Sequence, residues 1–478
     1  MEKRRLELVT DLYEFTMSNA LLLHGVGDQI AYFDLFFRSV PDSGGYTINA
    51  GLEQLIEFIQ NHHYTEDDIA YLKGLNKFSD EFLDFLKNFK FTGDIWAMPE
   101  GTVAFPNTPK IIVRAPIIQC AVIETMALLT TNHQSLIATK ASRIVHAADG
   151  RAISGLGTIS AHGPDAAIYG ERAALIAGIG GTSCVETARQ FDGEAVGTMA
   201  HLFVQFFPTE YEAFKVYAET YPDDCVLLVD TYDTLKSGLP NAIKVFKEVI
   251  VPQGYRPKGI QLDSGDLAYL SKEARKMLDE AGFPDCKIVA SNSLDEFTIN
   301  SLINQGAKID IFGVGERLIT ARSCPFFDGV YKLAAIESEG NIISKIKHSD
   351  NDEKITNPGF KTLYRFYEKG TGKAIADLVA LYDENIPEDE YTLVDSDAPW
   401  RRKVIRDYIV KPLHERIFVN GELVYRLPTL AKIAQNCRED LATIDESIKR
   451  FENPHRYFVN LSEGLWRLKQ EMLMELNK

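Results

Sequence analysis

Asp263, Ser264, Gly265 and Asp266 bring two carboxylates, a hydroxyl and a glycine together where an apolar run (Ile260, Leu262) ends. A helical pattern starts at once with Leu267, Leu270, Ala274, Met277 and Leu278. Backbone N–H groups at a helix start can face an anion, and a glycine lets the chain come close to it. A plain helix cap by Asp263 or Ser264 would account for the same residues without chemistry. Five other polar strand ends bear on the choice. They are Ser160, His162 and Asp165; Gly197, Thr198 and His201; Asp230, Thr231 and Asp233; Ser291 and Asn292; and Gly313, Gly315, Glu316 and Arg317. One polar end is ordinary capping. Six in succession, with two histidines and several carboxylates, point to a shared site.

Such ends need strands to carry them. Apolar, β-prone segments fall at 152–159, 194–199, 226–229, 259–262, 287–290 and 309–314. Helical patterns fall between and after them, at 165–177, 182–191, 211–221, 239–251, 271–281 and 295–305. Repeated β-α units imply parallel strands with crossover helices. A barrel, complete or open, fits this α/β pattern, and its functional groups would gather at the carboxyl ends of the strands. A doubly wound sheet fits the same periodicity. Before the alternation lie a helix at 10–24, a strand at 31–38, helix at 51–59 and 64–89, proline-broken strands at 94–120 and a long helix at 121–148. After it come β-like sequence at 341–381, an acidic stretch at 384–397, and closing helices at 427–451 and 461–476.

The chain has 478 residues and a net charge of −17. A nucleic-acid binder of this size would carry a basic excess, so no nucleic-acid partner is expected. An anionic ligand would need a locally basic site against that field. No apolar run reaches the roughly twenty residues that span a membrane. The basic N-terminus is followed by no apolar segment, so no signal peptide is expected. Cys120, Cys184, Cys225, Cys286, Cys324 and Cys437 form no closely spaced pair, which suits reduced thiols in a cytoplasmic protein.

The ordered motifs resemble those of bacterial nicotinate phosphoribosyltransferases over nearly the whole chain. The matching stretches are 10–13 (Thr10, Asp11, Leu12, Tyr13), 36–38 (Phe36, Phe37, Arg38), 136–143, 161–169, 197–201, 229–234, 262–266, 312–315, 329–333 and 353–359. The resemblance implies a type II phosphoribosyltransferase: an α/β protein with an irregular, incomplete α/β barrel at 131–334. An α/β domain at 1–130 would be completed by about 335–400, with a C-terminal helical extension at 401–478. It implies a cytoplasmic homodimer with a shared active site. The reaction would join nicotinate to phosphoribosyl pyrophosphate in NAD salvage, giving nicotinate mononucleotide and pyrophosphate, with Mg²⁺. ATP hydrolysis would be coupled through phosphorylated His201, a covalent carrier. Asp263 and Asp266 would be catalytic or would hold Mg²⁺ through water. Tyr13, Arg38, Asn132, Lys140, Arg143, Thr198, Gln261, Ser264, Gly265, Gly313, Gly315, Lys332 and Thr356 match substrate positions. Tyr13 would stack on the pyridine ring, and Gly313 and Gly315 would offer backbone N–H groups to phosphate.

The sequence departs from the family at the strand ends. Ile159, Ser160 and Gln261 stand where the family has arginines. Glu316 stands for a threonine, and Leu202 for the serine after His201. Arginine at such positions would grip carboxylate or phosphate bidentately. Three expectations follow: the family reaction, the same chemistry on another base, or a binding subunit with little chemistry.

Overall fold

The computed structural model describes residues 5–351, 354–394, 400 and 402–476. The chain divides into two compact units. One consists of Met1–Leu136 and Phe326–Lys478, the other of Ile137–Pro325.

The Ile137–Pro325 unit is built on six short strands: β1 (Ala152–Gly155), β2 (Gly181–Thr182), β3 (Val226–Leu228), β4 (Gly259–Leu262), β5 (Lys287–Ala290) and β6 (Ile311–Val314). They pair in parallel in the order β2-β1-β6-β5-β4-β3. This is the chain order read around a circle and broken once, between β2 and β3. The first strand pairs with the last, which a doubly wound sheet does not do. The sheet is therefore a curled, open half-barrel. Ile260, Leu262, Ile288, Ala290, Phe312 and Val314 are buried in it. Helix Leu267–Glu280 covers it with Leu267, Ala274 and Leu278. Full burial of each leucine is worth about 1.5–3 kcal/mol.

The break has a cause in the sequence. The strand expected at 194–199 forms only one bridge, between Ala195 and Thr182. Ala195 and Val196 are its only apolar residues before Gly197. Two residues cannot make the continuous apolar run that a two-faced parallel strand needs. The segment carrying Thr198 and His201 thus lies in the mouth of the half-barrel rather than in its wall.

The other unit holds a seven-stranded antiparallel sheet in the order Asn341–Ser344, Gly329–Ser338, Ile30–Phe37, Ile111–Pro116, Asp94–Ala97, Glu415–Val419, Glu422–Leu423. A second sheet runs Tyr408–Pro412, Lys361–Glu368, Ala374–Leu381, Val459–Leu461. Two ion pairs are buried here, Lys361 with Asp34 at 2.8 Å and Arg365 with Asp377 at 2.7 Å.

Several expectations need correction. The 401–478 stretch is not a helical extension. Its first part forms the strands Arg402–Arg406, Tyr408–Pro412, Glu415–Val419 and Glu422–Leu423, and helices begin only at Leu430. Ile405 and Tyr408 bury against Phe366 and Leu393, so tertiary packing sets these residues as strand. The helix expected at 64–89 is two, Glu66–Gly74 and Asp80–Lys87. Asn76 has a φ of 53°, and the Ser79 side chain caps the second helix. Strand Gly329–Ser338 begins within the span expected for the barrel, but it pairs with Ile30–Phe37 of the other unit. Glu353 and the end of the acidic stretch, 395–397, lie outside the described residues.

Candidate active site

Strand β4 delivers Asp263 one residue beyond its end. The turn is held from β3: Asp230 Oδ2 accepts the Asp263 N–H at 2.7 Å and the Ser264 hydroxyl at 2.7 Å. Gly265 follows with a φ of 76°, the left-handed region that glycine enters without strain. Asp266 then caps helix Leu267–Glu280 by accepting the Tyr269 N–H at 3.0 Å. The structural cap in this loop is therefore Asp266, and Asp263 is left for other work.

Asp263 meets residues from three other strand ends. Its Oδ2 lies 3.7 Å from His201 Nε2. Its Oδ1 accepts the Ser291 hydroxyl at 2.5 Å. Ser291 Oγ in turn accepts Gln261 Nε2 at 3.0 Å, and Gln261 Oε1 accepts the Thr198 hydroxyl at 2.9 Å. The other ring nitrogen of His201, Nδ1, lies 3.0 Å from Thr231 Oγ1. His201 and Asp263 are each about 40% exposed, at 40% and 39%, so a substrate can reach them. A half-exposed imidazole oriented on both sides beside a carboxylate can act as nucleophile or proton carrier.

Gly313 and Gly315 lie at the end of β6. A Cβ on Gly313 would come within 2.5 Å of Leu156 Cδ1, and one on Gly315 within 3.1 Å of the Leu156 carbonyl oxygen. At Gly313 the near atom is the tip of the Leu156 side chain, which can give way, so packing alone does not require glycine there. Arg317 is drawn to Asp295 at 2.5 Å, where it joins the cap of helix Glu296–Asn304, so it does not stand in for the missing arginines. Ile159, on the one-turn helix Thr158–Ser160 after β1, is 98% exposed and holds nothing.

Lys140 and Arg143 lie elsewhere in this unit. Each is 3% exposed, and both bind the fully buried Glu296, at 2.8 and 2.9 Å; Lys140 also donates to Ser323 Oγ at 2.7 Å. The pairing explains why two cations can be buried.

The remaining expected residues belong to the other unit. The Tyr13 hydroxyl bonds Glu124, whose charge faces Lys332. Burial, above all, pulls the Lys332 ammonium below its ordinary pKa, and the nearby Lys347 and Arg38 add to this. Arg38 lies 3.7 Å from Asp328. Asn132 Oδ1 is buried without a partner among the described residues, directly against Gly329. Thr356 Oγ1 accepts the Lys347 N–H at 3.0 Å and lies in the wall of a cavity of about 810 Å³ with Asp34, Lys361, Trp466 and Lys469. Beside Tyr13, Glu14 is buried between Thr10 and Thr125, and desolvation raises its pKa to about 7.

Asp230, Thr231 and Ser291, which the sequence marked only as polar strand ends without a specific role, complete the cluster. The available signal was their position at the ends of β3 and β5. Among the described residues no group of three or more His, Cys, Asp or Glu side chains is arranged to hold a metal, and no helix is long and apolar enough to cross a membrane.

Residues 8–132 match the nicotinate phosphoribosyltransferase N-terminal domain, and residues 360–469 the C-terminal domain of the same family. The chain is 44% identical to nicotinate phosphoribosyltransferase of Bacillus subtilis over 474 residues, 98% of this chain and 96% of that protein. It is 42% identical to a nicotinate phosphoribosyltransferase of Mycobacterium tuberculosis over 382 residues, 80% of each. The crystal structure of human nicotinic acid phosphoribosyltransferase superposes with a TM-score of 0.87 at 26% identity, covering 97% of this chain and 100% of that one.

Proposed function

This chain belongs to the nicotinate phosphoribosyltransferase family, an enzyme family with the type II phosphoribosyltransferase fold, and we propose that it makes nicotinate mononucleotide in NAD salvage. The nicotinate ring nitrogen attacks C1 of the ribose in phosphoribosyl pyrophosphate. The N–C1 bond forms, the C1–O bond breaks, and its electron pair leaves on pyrophosphate. The observation that carries this reading is the convergence of Thr198, His201, Gln261 and Asp263 in the barrel mouth.

C1 becomes cationic as pyrophosphate leaves, and a fixed carboxylate nearby lowers the cost of that charge. Asp263 supplies it, held by Asp230 through the backbone and by Ser291 through the side chain. The backbone at Gly313 and Gly315 takes the sugar phosphate. Mg²⁺ would be held mainly by pyrophosphate oxygens and water, with Asp263 and Asp266 as the nearby carboxylates. The small carboxylate set fits that use and not an all-protein cage. Bound there, the ion neutralises charge on the leaving pyrophosphate.

ATP is the co-substrate. His201 Nε2 attacks the γ-phosphorus, ADP leaves with the electron pair of the broken P–O bond, and water later takes the phosphoryl group from the imidazole. Thr231 at Nδ1 and Asp263 beside Nε2 support this role by fixing the ring. The working form is a cytoplasmic homodimer. Intact-mass measurement after ATP treatment should show one added phosphoryl group, absent in His201→Ala. Absence of the group from the wild-type protein would remove the phosphohistidine step.

A further inference from the structure

We propose that Gln261 is a positioning residue: it aims Asp263 at His201 through a one-way chain of hydrogen bonds that needs a side chain able to accept at one end and donate at the other. This rests on the reaction proposed above.

The chain has four members: Thr198 from the segment in the barrel mouth, Gln261 and Asp263 from β4 and its end, and Ser291 from the end of β5. The Thr198 hydroxyl donates to Gln261 Oε1 at 2.9 Å, Gln261 Nε2 donates to Ser291 Oγ at 3.0 Å, and the Ser291 hydroxyl donates to Asp263 Oδ1 at 2.5 Å. Every proton points the same way, toward the carboxylate. Ser291 has one hydroxyl proton, so it can give that proton to Asp263 only if its other partner donates to it. Gln261 does so while accepting from Thr198 at its other end. A glutamate at 261 would accept at both ends and compete with Asp263 for the serine proton. An arginine would donate at both ends and leave the Thr198 proton unplaced. A leucine would do neither.

The consequence lies in which oxygen of Asp263 faces which partner. Ser291 engages Oδ1, which leaves Oδ2 as the oxygen 3.7 Å from His201 Nε2. The backbone of Asp263 is fixed separately by Asp230, so the Gln261 chain controls side-chain rotation alone. The chain also runs from the segment in the barrel mouth, through Thr198, into the wall at β4 and β5. It thereby joins the residue that fails to enter the barrel to the carboxylate that the barrel presents.

The test has two arms. The first is kinetic and uses Gln261→Glu, Ser291→Ala, Thr198→Val and Thr198→Ser in the intact protein. Broken chains should lower kcat for nicotinate mononucleotide formation by about ten-fold each, the scale of one lost hydrogen bond to a charged group, with KM changed by less than about two-fold. Thr198→Ser should recover the wild-type kcat. The Thr198→Val/Ser291→Ala double variant should be no slower than the slower single, because one break already opens the chain. Additive losses, or a rise confined to KM, would overturn the proposal. The second arm needs no turnover. Crystal structures of the wild-type protein and Gln261→Leu should differ in the Asp263 side chain, with Oδ2 withdrawn from His201 in the variant. An unmoved Asp263 overturns the relay whatever the activity. A wild-type protein that makes no product while Asp263 swings in Gln261→Leu overturns the proposed reaction and keeps the relay.

Discussion

Asp230 and Ser264 are joined at 2.7 Å through Asp230 Oδ2, the same oxygen that takes the Asp263 N–H. One carboxylate on β3 thus sets the backbone of the loop that β4 presents. Asp230→Ala removes the acceptor of both hydrogen bonds at once. Losing one hydrogen bond to a charged group costs about 1.5–3 kcal/mol, so kcat should fall by at least roughly ten-fold. Asp230→Asn keeps an acceptor oxygen and should lose less. Steady-state kinetics on both variants checks the order.

Glu296 pairs with both Lys140 and Arg143 inside the barrel unit. Glu296→Ala would leave two buried cations, and breaking such a pair costs about 3–5 kcal/mol. Urea unfolding should show that loss as a lower midpoint. Lys140→Met should destabilise less than Glu296→Ala, since it strands no second cation.

Glu14 gives stability a pH dependence. Its folded pKa, about 7, lies above the ordinary 4.5, because burial disfavours the carboxylate. The folded state therefore binds the proton more tightly. Its contribution is fully present below pH 4.5 and is lost as pH rises through 7, a change of about 3 kcal/mol. Glu14→Gln removes the titration and should unfold at higher denaturant than the wild type at pH 8. Near pH 4.5 the two should be close. Buried His62, held down to about pKa 4 by desolvation, acts in the opposite sense between pH 6.5 and 4. The comparison is therefore made between variant and wild type at each pH.

Ile159 is 98% exposed on the turn that follows β1. Ile159→Arg should change stability by less than about 0.5 kcal/mol, as surface substitutions do. It adds a cation near a strand end and should lower KM for phosphoribosyl pyrophosphate several-fold at low salt, with the gain shrinking as salt screens it. Gln261→Arg should behave differently. The relay predicts a lower kcat, although the substitution restores the charge that the family resemblance implies at 261.

Much of this was legible in the sequence, and the misses have physical causes. β1 and β3 to β6 were readable because each ends an apolar run with a polar turn. β2 was not, since Gly181 and Thr182 are two residues with no pattern. The 194–199 segment read as strand from local propensity, but it lacks apolar residues for two faces. The strand at Tyr408–Pro412 was missed because its partner, Lys361–Glu368, lies far away in sequence. The site residues at strand ends emerged as a set. The burial of Lys140 and Arg143 did not, because Glu296 lies 156 and 153 residues further on. Gln261 was visible only as a missing arginine; its position between Thr198 and Ser291 needed the structure.

The most direct test incubates the purified protein with nicotinate, phosphoribosyl pyrophosphate, ATP and Mg²⁺, with nicotinamide as the parallel base. The expected result is nicotinate mononucleotide with stoichiometric pyrophosphate, faster with ATP and faster than any product from nicotinamide. No nicotinate mononucleotide at high enzyme concentration, or a preference for nicotinamide, would contradict the account.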